Sequence, residues 1–273
     1  MRFRRSRARA ALAPPDDAAG PAPVARVAAT ADLHFSHHDV GRLAPRLERM
    51  QGAADLLLVA GDLTEEGDPW EAALVGRELR AARVPVIAVL GNHDHAQGRA
   101  RQVAAALESN GVRILRGDGM VIEAGTARVG IAGVTGSGGG FPGGSAHLEA
   151  GPMKEVVAFT SDEAHRLETS LGGLDADFRI ALLHYSPCVE TLAGEPFDLY
   201  PFLGSHLLGE AIDRAGADLA FHGHAHAGRP EGMTLGGTLV RNVAVPVIGH
   251  AFRVFRLASE GLDRGRVVSL TVA

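Results

Sequence analysis

One cysteine, one tryptophan and two tyrosines are all that a chain of 273 residues carries of these types, and the scarcities exclude things. Cys188 alone cannot close an internal disulfide, which suits a reducing compartment, and a cytoplasmic location is the expectation. Its ordinary role is that of a small, half-buried filler. No apolar run approaches the ~18 residues of a membrane-spanning helix. Positive charge is not in surplus either: 27 Lys and Arg stand against 32 Asp and Glu, for a net charge of −5. That balance offers no general basic surface to a nucleic-acid backbone, so a nucleic-acid partner is not expected. Arg2, Arg4, Arg5, Arg7 and Arg9 resemble the charged start of a signal peptide, but Pro14-Pro15-Asp16-Asp17 arrives before any apolar stretch can follow. No internal repeat of fixed period is present.

What is present is enough for a large core, since 46% of residues are hydrophobic and 5% aromatic. No linker divides the apolar runs, so one domain is expected over 24–273. Residues 1–23 alternate Arg and Ala with Pro, Asp and Gly and read as a disordered tail. Strands are predicted over Val24–Thr30, Leu56–Ala60 and Val84–Leu90, separated by helical spacing at Val40, Leu43, Leu47 and Met50 and by a helix over Pro69–Ala82. A further helix is predicted over Gln97–Ser109, stopped by Asn110-Gly111. Strands that are apolar throughout and alternate with helices argue for a parallel sheet covered on both faces.

From Val112 onward short strands at Val112–Leu115, Met120–Glu123 and Val129–Val134 suit antiparallel or mixed pairing. The glycine-rich segment Gly136–Gly151 lacks the Gly-Lys-Ser/Thr of a phosphate-binding loop and reads as a flexible surface loop, or as a lid. Thr160 or Ser161 with Glu163 is expected to cap a helix ending near Leu171. A strand over Phe178–Leu183, a helix over Ser205–Ala215 and a strand over Asp218–Phe221 follow. Late strands are predicted at Thr238–Val245, Phe252–Leu257 and Val267–Val272.

Polar residues recur where these strands end: Asp32 and His34, Asp62, Asn92 with His93 and Asp94, His184, and His224 with His226. Ligands of open α/β sheets gather at the carboxyl ends of strands, so five termini can converge on one crevice. One Asp after a strand is usually a turn or a helix cap, and one His is usually packed or solvated. Five consecutive strand ends with the same kind of residue are not explained that way. Imidazoles with hard oxygen donors suit Mn, Fe, Zn, Co or Ni, and exclude a thiolate site. His37, His38 and His95 read as solvated or as phosphate contacts, His222 as packing or as support behind the ligands, and Arg229 as a surface arginine or a phosphate partner. Tyr185, Tyr200 and Phe141 read as core or rim.

The blocks Thr30-Ala31-Asp32-Leu33-His34, Gly61-Asp62, Gly91-Asn92-His93-Asp94, Leu182-Leu183-His184 and Gly223-His224-Ala225-His226 resemble, in order, those of the calcineurin-like metallophosphoesterase superfamily. The resemblance covers about residues 24–250. It implies a four-layer αββα sandwich of two mixed sheets flanked by helices, and two divalent or trivalent metal ions about 4 Å apart. Carried over, Asp32, His34, Asp62 and His226 hold one ion and Asp62, Asn92, His184 and His224 the other, with Asp62 bridging. The implied reaction is hydrolysis of a small phosphomonoester or phosphodiester by a hydroxide between the metals, with His93 as general acid. Asp94 would orient the loop or the imidazole, with Glu65 a second candidate for that role. A nuclease of the same fold has only the Arg-rich tail in its favour. An inactive scaffold for a protein partner should lack His93 or several ligands, and every position is filled. A binuclear amidohydrolase fits less well, because there the His-x-His pair comes first.

Overall fold

A computed structural model describes residues 22–142 and 153–258. The predicted strand over Val267–Val272 and all but the last two residues of the expected tail lie outside the described residues, as do residues 143–151 of the glycine-rich segment. The architecture is two stacked mixed sheets with helices on both outer faces. One sheet contains β1 (Val24–Thr30), β2 (Leu56–Ala60), β3 (Val86–Val89), β4 (Val112–Ile114) and β11 (Arg253–Ala258), in the order β11-β1-β2-β3-β4. The other contains β5 (Gly119–Ala124), β6 (Ala127–Val134), β7 (Phe178–Leu183), β8 (Leu219–His222), β9 (Glu231–Met233) and β10 (Leu239–Asn242), in the order β5-β6-β7-β8-β10-β9. Strands β1 to β4 are parallel and β11 closes that sheet antiparallel.

The unbroken apolar runs are explained by burial on both faces. Along β2, Leu56, Leu58 and Ala60 pack between the sheets, while Leu57 and Val59 face the outer helices α2 (Pro69–Leu79) and α3 (Ala100–Glu108). On the second sheet Val129, Ile131, Ile180, Leu182 and Phe221 face inward, and Ala132, Ala181, Leu183 and Ala220 face α4 (Met153–Gly172) and α6 (His206–Ala215). Phe221 meets Phe255 across the gap, ring centroids 4.8 Å apart. Three short helices, α1 (Ala44–Leu47), α5 (Tyr200–Leu203) and α7 (Val245–Ile248), complete the set among the described residues. No described helix is long and apolar enough to cross a membrane.

Several local expectations are corrected. The helical spacing at Val40–Met50 yields only α1 between 3-10 turns. Helix α3 begins at Ala100, not Gln97, because Gly98 takes φ +67° just ahead of it. The cap expected at Thr160 is a mid-helix residue: α4 starts at Met153, and the buried Thr160 hydroxyl lies on the carbonyls of Gly138 (2.6 Å) and Val156 (2.9 Å). The start of the glycine-rich segment is not a surface loop. Gly138, Gly139 and Gly140 are all buried, with Gly139 N–H donating to Pro201 O (2.8 Å) and Gly140 N–H to Gly204 O (2.9 Å). Strand β10 stops at Asn242, and Val245-Pro246 opens α7 instead.

Candidate metal centre

The parallel strands all deliver their carboxyl ends to one edge, and the loops there are laced together by the backbone. Asp32 N–H donates to Gly61 O (3.0 Å), His34 N–H to Asp62 O (3.1 Å) and Phe35 N–H to Leu63 O (3.0 Å). The next loop is tied in by Asp94, whose fully buried carboxylate accepts from Leu63 N, Thr64 N, Thr64 Oγ1 and Gly91 N at 2.7–3.2 Å. Burial, followed by the charge of Asp62, pushes the Asp94 carboxyl up from its ordinary range. Of the two tasks foreseen for Asp94, the contacts are those of a brace between the Asp62 and Asn92 loops. None reaches the His93 imidazole.

Five non-glycine residues have positive φ among those described, and four are Asp32 (57°), His34 (43°), Asp62 (51°) and His224 (69°); the fifth, Arg83, ends a helical turn. Left-handed backbone at such residues costs about 1–2 kcal/mol each, and it concentrates at functional sites. The glycines ahead of these blocks have a different reason. A Cβ on Gly61 would land on the His184 ring, one on Gly91 on the Asp62 carboxylate, and one on Gly223 on the Asp32 carboxylate, each well inside contact distance.

Two groups of donors bring together residues expected to ligate metal, Asp32 with His34 and His226, and Asp62 with His184 and His224, and a third joins His34 to Glu65 and His93. His226 Nε2 lies 3.1 Å from Asp32 Oδ1. Asp62 Oδ2 lies between the groups, 3.8 Å from His34 Nε2 and 3.4 Å from His184 Nε2. Asn92 Oδ1 joins the second group at 2.8 Å from His184 Nε2. All seven residues expected to ligate metal are thus brought to one place.

The tautomers suit cation binding. His184 Nδ1 sits 2.9 Å from Ala60 O, and since a carbonyl only accepts, Nδ1 carries hydrogen and Nε2 is the atom turned to the cluster. His224 Nε2 donates to Phe202 O (3.3 Å), which leaves Nδ1. His34 Nδ1 faces the Glu65 carboxylate at 3.3 Å, and its Nε2 is buried with no hydrogen-bond partner. A buried, unpartnered nitrogen aimed between two carboxylates is what a metal ligand looks like without its ion. The residues present therefore fit a metal.

Electrostatics point the same way. Burial would lower the His184 pKa, yet Asp62 and, more weakly, Asp32 outweigh it and raise it to about 9. Burial likewise opposes ionisation of Asp62, but the His184 charge and the His93 N–H at 2.9 Å hold its carboxyl below the ordinary range. Burial and then the His184 charge lower His224 to about 3, so it is neutral. In the metal-free protein the His184–Asp62 pair stabilises the fold fully below the unfolded His value of about 6.5, and that contribution is lost as pH rises through about 9. If His184 is a ligand, a metal has to displace its proton, and binding at pH 7 is expected to release about one proton from this residue. Calorimetry in buffers of different ionisation enthalpy reads that release. It should fade above about pH 9, and its absence at pH 7 would remove His184 from the ligand set.

His93 belongs to neither of the first two groups but shares the third with His34 and Glu65. Its Nδ1 donates to Glu65 O (2.7 Å), leaving Nε2 as the ring atom free to exchange a proton, and its ring meets His34 edge-on with centroids 4.4 Å apart. Glu65 therefore serves twice, by carboxylate on His34 and by carbonyl on His93, and only the carboxylate had a signal in the sequence. Tyr185 covers His224, centroids 4.3 Å apart. Beneath the site His222 is buried between Gly223 O (2.7 Å) and Thr191 Oγ1 (2.9 Å), and burial lowers its pKa to about 4. Cys188 is buried and its thiol is pushed up to about 11 by burial, an inert filler. His37 and His38 are exposed and stack on each other at 3.7 Å. Phe141 lines a separate apolar cavity with Pro187, and Tyr200 packs on Phe197.

Paired clusters of carboxylate and imidazole donors, at the carboxyl edge of a double-sheet sandwich, are the layout of a metal-dependent phosphoesterase. The chain belongs to the calcineurin-like phosphoesterase family, which residues 25–228 match. No protein of curated function matches the sequence significantly. Among solved structures, the chain is similar to a phosphopantetheinyl hydrolase from Mycobacterium tuberculosis, with TM-score 0.59 and 17% identity over 89% of this chain and 98% of that one. TT1561 of Thermus thermophilus gives TM-score 0.52 and 17% identity over 81% and 89%. GAP50, the anchor in the inner membrane complex of Plasmodium, gives 0.56 and 12% over 92% and 89%. At these identities the likeness is one of fold.

Proposed function

We propose that the protein hydrolyses phosphoric ester bonds of a small substrate, monoester or diester, with two divalent or trivalent metal ions of the Mn, Fe, Zn, Co or Ni kind. The observation that carries this is Asp62, whose carboxylate lies between two separate donor groups. A shared carboxylate brings two cations together and offsets their repulsion. Asp32, His34 and His226 would complete one position, and Asn92, His184 and His224 the other. When bound, such ions lower the pKa of water and neutralise charge on a phosphoryl group.

The chain's own residues do the rest. Asp62 is fixed by the His93 N–H, so proton donor and metal bridge are held in register. His93, steadied at Nδ1 by the Glu65 carbonyl, gives a proton from Nε2 to the leaving oxygen. Asp94 is a positioning residue that holds the two loops together. The test is a panel of p-nitrophenyl phosphate, bis-p-nitrophenyl phosphate and 2′,3′- and 3′,5′-cyclic nucleotides with Mn²⁺. Turnover that a chelator abolishes and added metal restores is expected. Metal-loaded protein that hydrolyses none of them would sink the reading.

A further inference from the structure

Next to the candidate centre a cavity of about 190 Å³ opens between α3, the turn joining β4 to β5, and α4. Leu90 and Thr135 form its inner wall, with His95, Arg101, Arg116 and Arg166 around them. Three of these residues are continuous with the site. Leu90 follows the strand that leads to Asn92, His95 closes the 3-10 turn that begins at His93, and the Thr135 carbonyl accepts from His184 N (3.0 Å) and Tyr185 N (3.2 Å). The cavity is thus lined by residues on either side of the Asn92 and His93 loop and by the residue that holds the His184 backbone.

Its charge is unusual for a chain whose net charge is −5. Three arginines line one small opening. Arg116 pairs with Glu108 (3.0 Å) and Arg166 with Glu163 (3.4 Å), while Arg101 has no ion pair or side-chain hydrogen bond among the described residues. Glu163, the one carboxylate in the lining, is buried and already occupied: its second oxygen accepts from Gly136 N (3.4 Å). Arg166 also donates to the Arg116 carbonyl. Two arginines are thus held in place by protein partners and a third is unpaired, with the Phe159 ring, about half exposed, at the rim. Fixed polar groups in a small concavity are how a site orients a charged ligand.

We propose that this cavity is a subsite for a second anionic group, a phosphate or a carboxylate, carried on the leaving-group side of the substrate. It rests on the phosphoester hydrolysis assigned above. The subsite is placed on the leaving-group side because His93, the proton donor of that reading, and His95, which lines the cavity, share one turn. Arg101 is the specificity-determining residue, because it alone of the three has no partner among the described residues.

The experiment compares phenyl phosphate, 4-carboxyphenyl phosphate and hydroquinone bisphosphate on the metal-loaded protein and on Arg101→Gln and Arg101→Glu. Arg101 is exposed, so both variants are expected to fold. Wild type should prefer the substrates with a second anion, and the stronger of the two tells phosphate from carboxylate. Arg101→Gln should raise KM for those two by about tenfold, the weight of one exposed charge-assisted contact, with kcat and all phenyl phosphate kinetics unchanged. Arg101→Glu should raise it further. If phenyl phosphate is hydrolysed but the second anion brings no preference, or the preference survives in both variants, the subsite falls and the phosphoesterase reading stands. If none of the three esters is hydrolysed, both fall together.

Discussion

His93→Ala is expected to lower kcat on esters with poor leaving groups by about 10²–10⁴-fold, the usual weight of a positioned general acid, and to leave metal content unchanged. The contacts separate the two readouts. The imidazole is joined through Nδ1 to the Glu65 carbonyl, and only its backbone N–H touches Asp62. Removing the ring therefore removes a proton donor and leaves the carboxylate geometry standing. Activated leaving groups such as p-nitrophenolate need little protonation, so the deficit should shrink for them. Equal loss on good and poor leaving groups, or loss of metal with activity, would show that His93 acts as a ligand or a brace. Asn92→Ala supplies the contrast, because Asn92 Oδ1 is in contact with His184 Nε2. There metal content should fall together with rate.

Gly223→Ala should weaken metal binding by about 10–100-fold, the size of effect seen when the support of a ligand is disturbed. The added methyl would collide with the Asp32 carboxylate and the Ala31 side chain, and the Ala60 carbonyl stands 3.1 Å away. Neither neighbouring backbone can retreat, because Ala60 lies in β2 and Ala31 bridges to Ala244. Asp32 must give way, and with it the contacts it makes to His224 N and His226 Nε2. Gly216→Ala is the control. Gly216 ends α6 at φ 66° with open space around it, so alanine there should cost about 1 kcal/mol of stability and no metal. Metal content by elemental analysis, with melting temperature on the same samples, separates the two cases. Wild-type metal affinity in a folded Gly223→Ala protein would mean that Asp32 is not a ligand.

The strands were legible because burial on both faces leaves an unmistakable signature. Leu56–Ala60 and Phe178–Leu183 are found where the apolar runs place them. Helix starts were less legible. Thr160 has the composition of a cap and is instead a buried residue inside α4, where its hydroxyl meets Gly138 from a distant segment. Glycines 138–140 look like slack chain and are packed under residues 201–204. In both cases a tertiary partner satisfies the polar group that local chemistry would have turned outward. The split of labour between Asp94 and Glu65 was hidden for a related reason: the imidazole is held by a backbone carbonyl, which every residue has and no sequence pattern marks.

By itself the sequence determined the inventory and its order: carboxylate and imidazole donors at five strand ends, a further histidine beside the third, and no cysteine among them. It could do so because a strand's end and its donor are local facts. The tertiary structure alone decided how the donors meet. The carboxylate of Asp32 is engaged by the N–H of His224, 192 positions away, and the His184 tautomer is set by the carbonyl of Ala60. It also decided why glycine precedes Asp62, Asn92 and His224, since the space for a Cβ is filled by the side chain of His184, Asp62 or Asp32 from another strand end. Such contacts depend on two sheets closing over one edge, and their distances are fixed by packing across the sandwich, which is not encoded in any single stretch of chain.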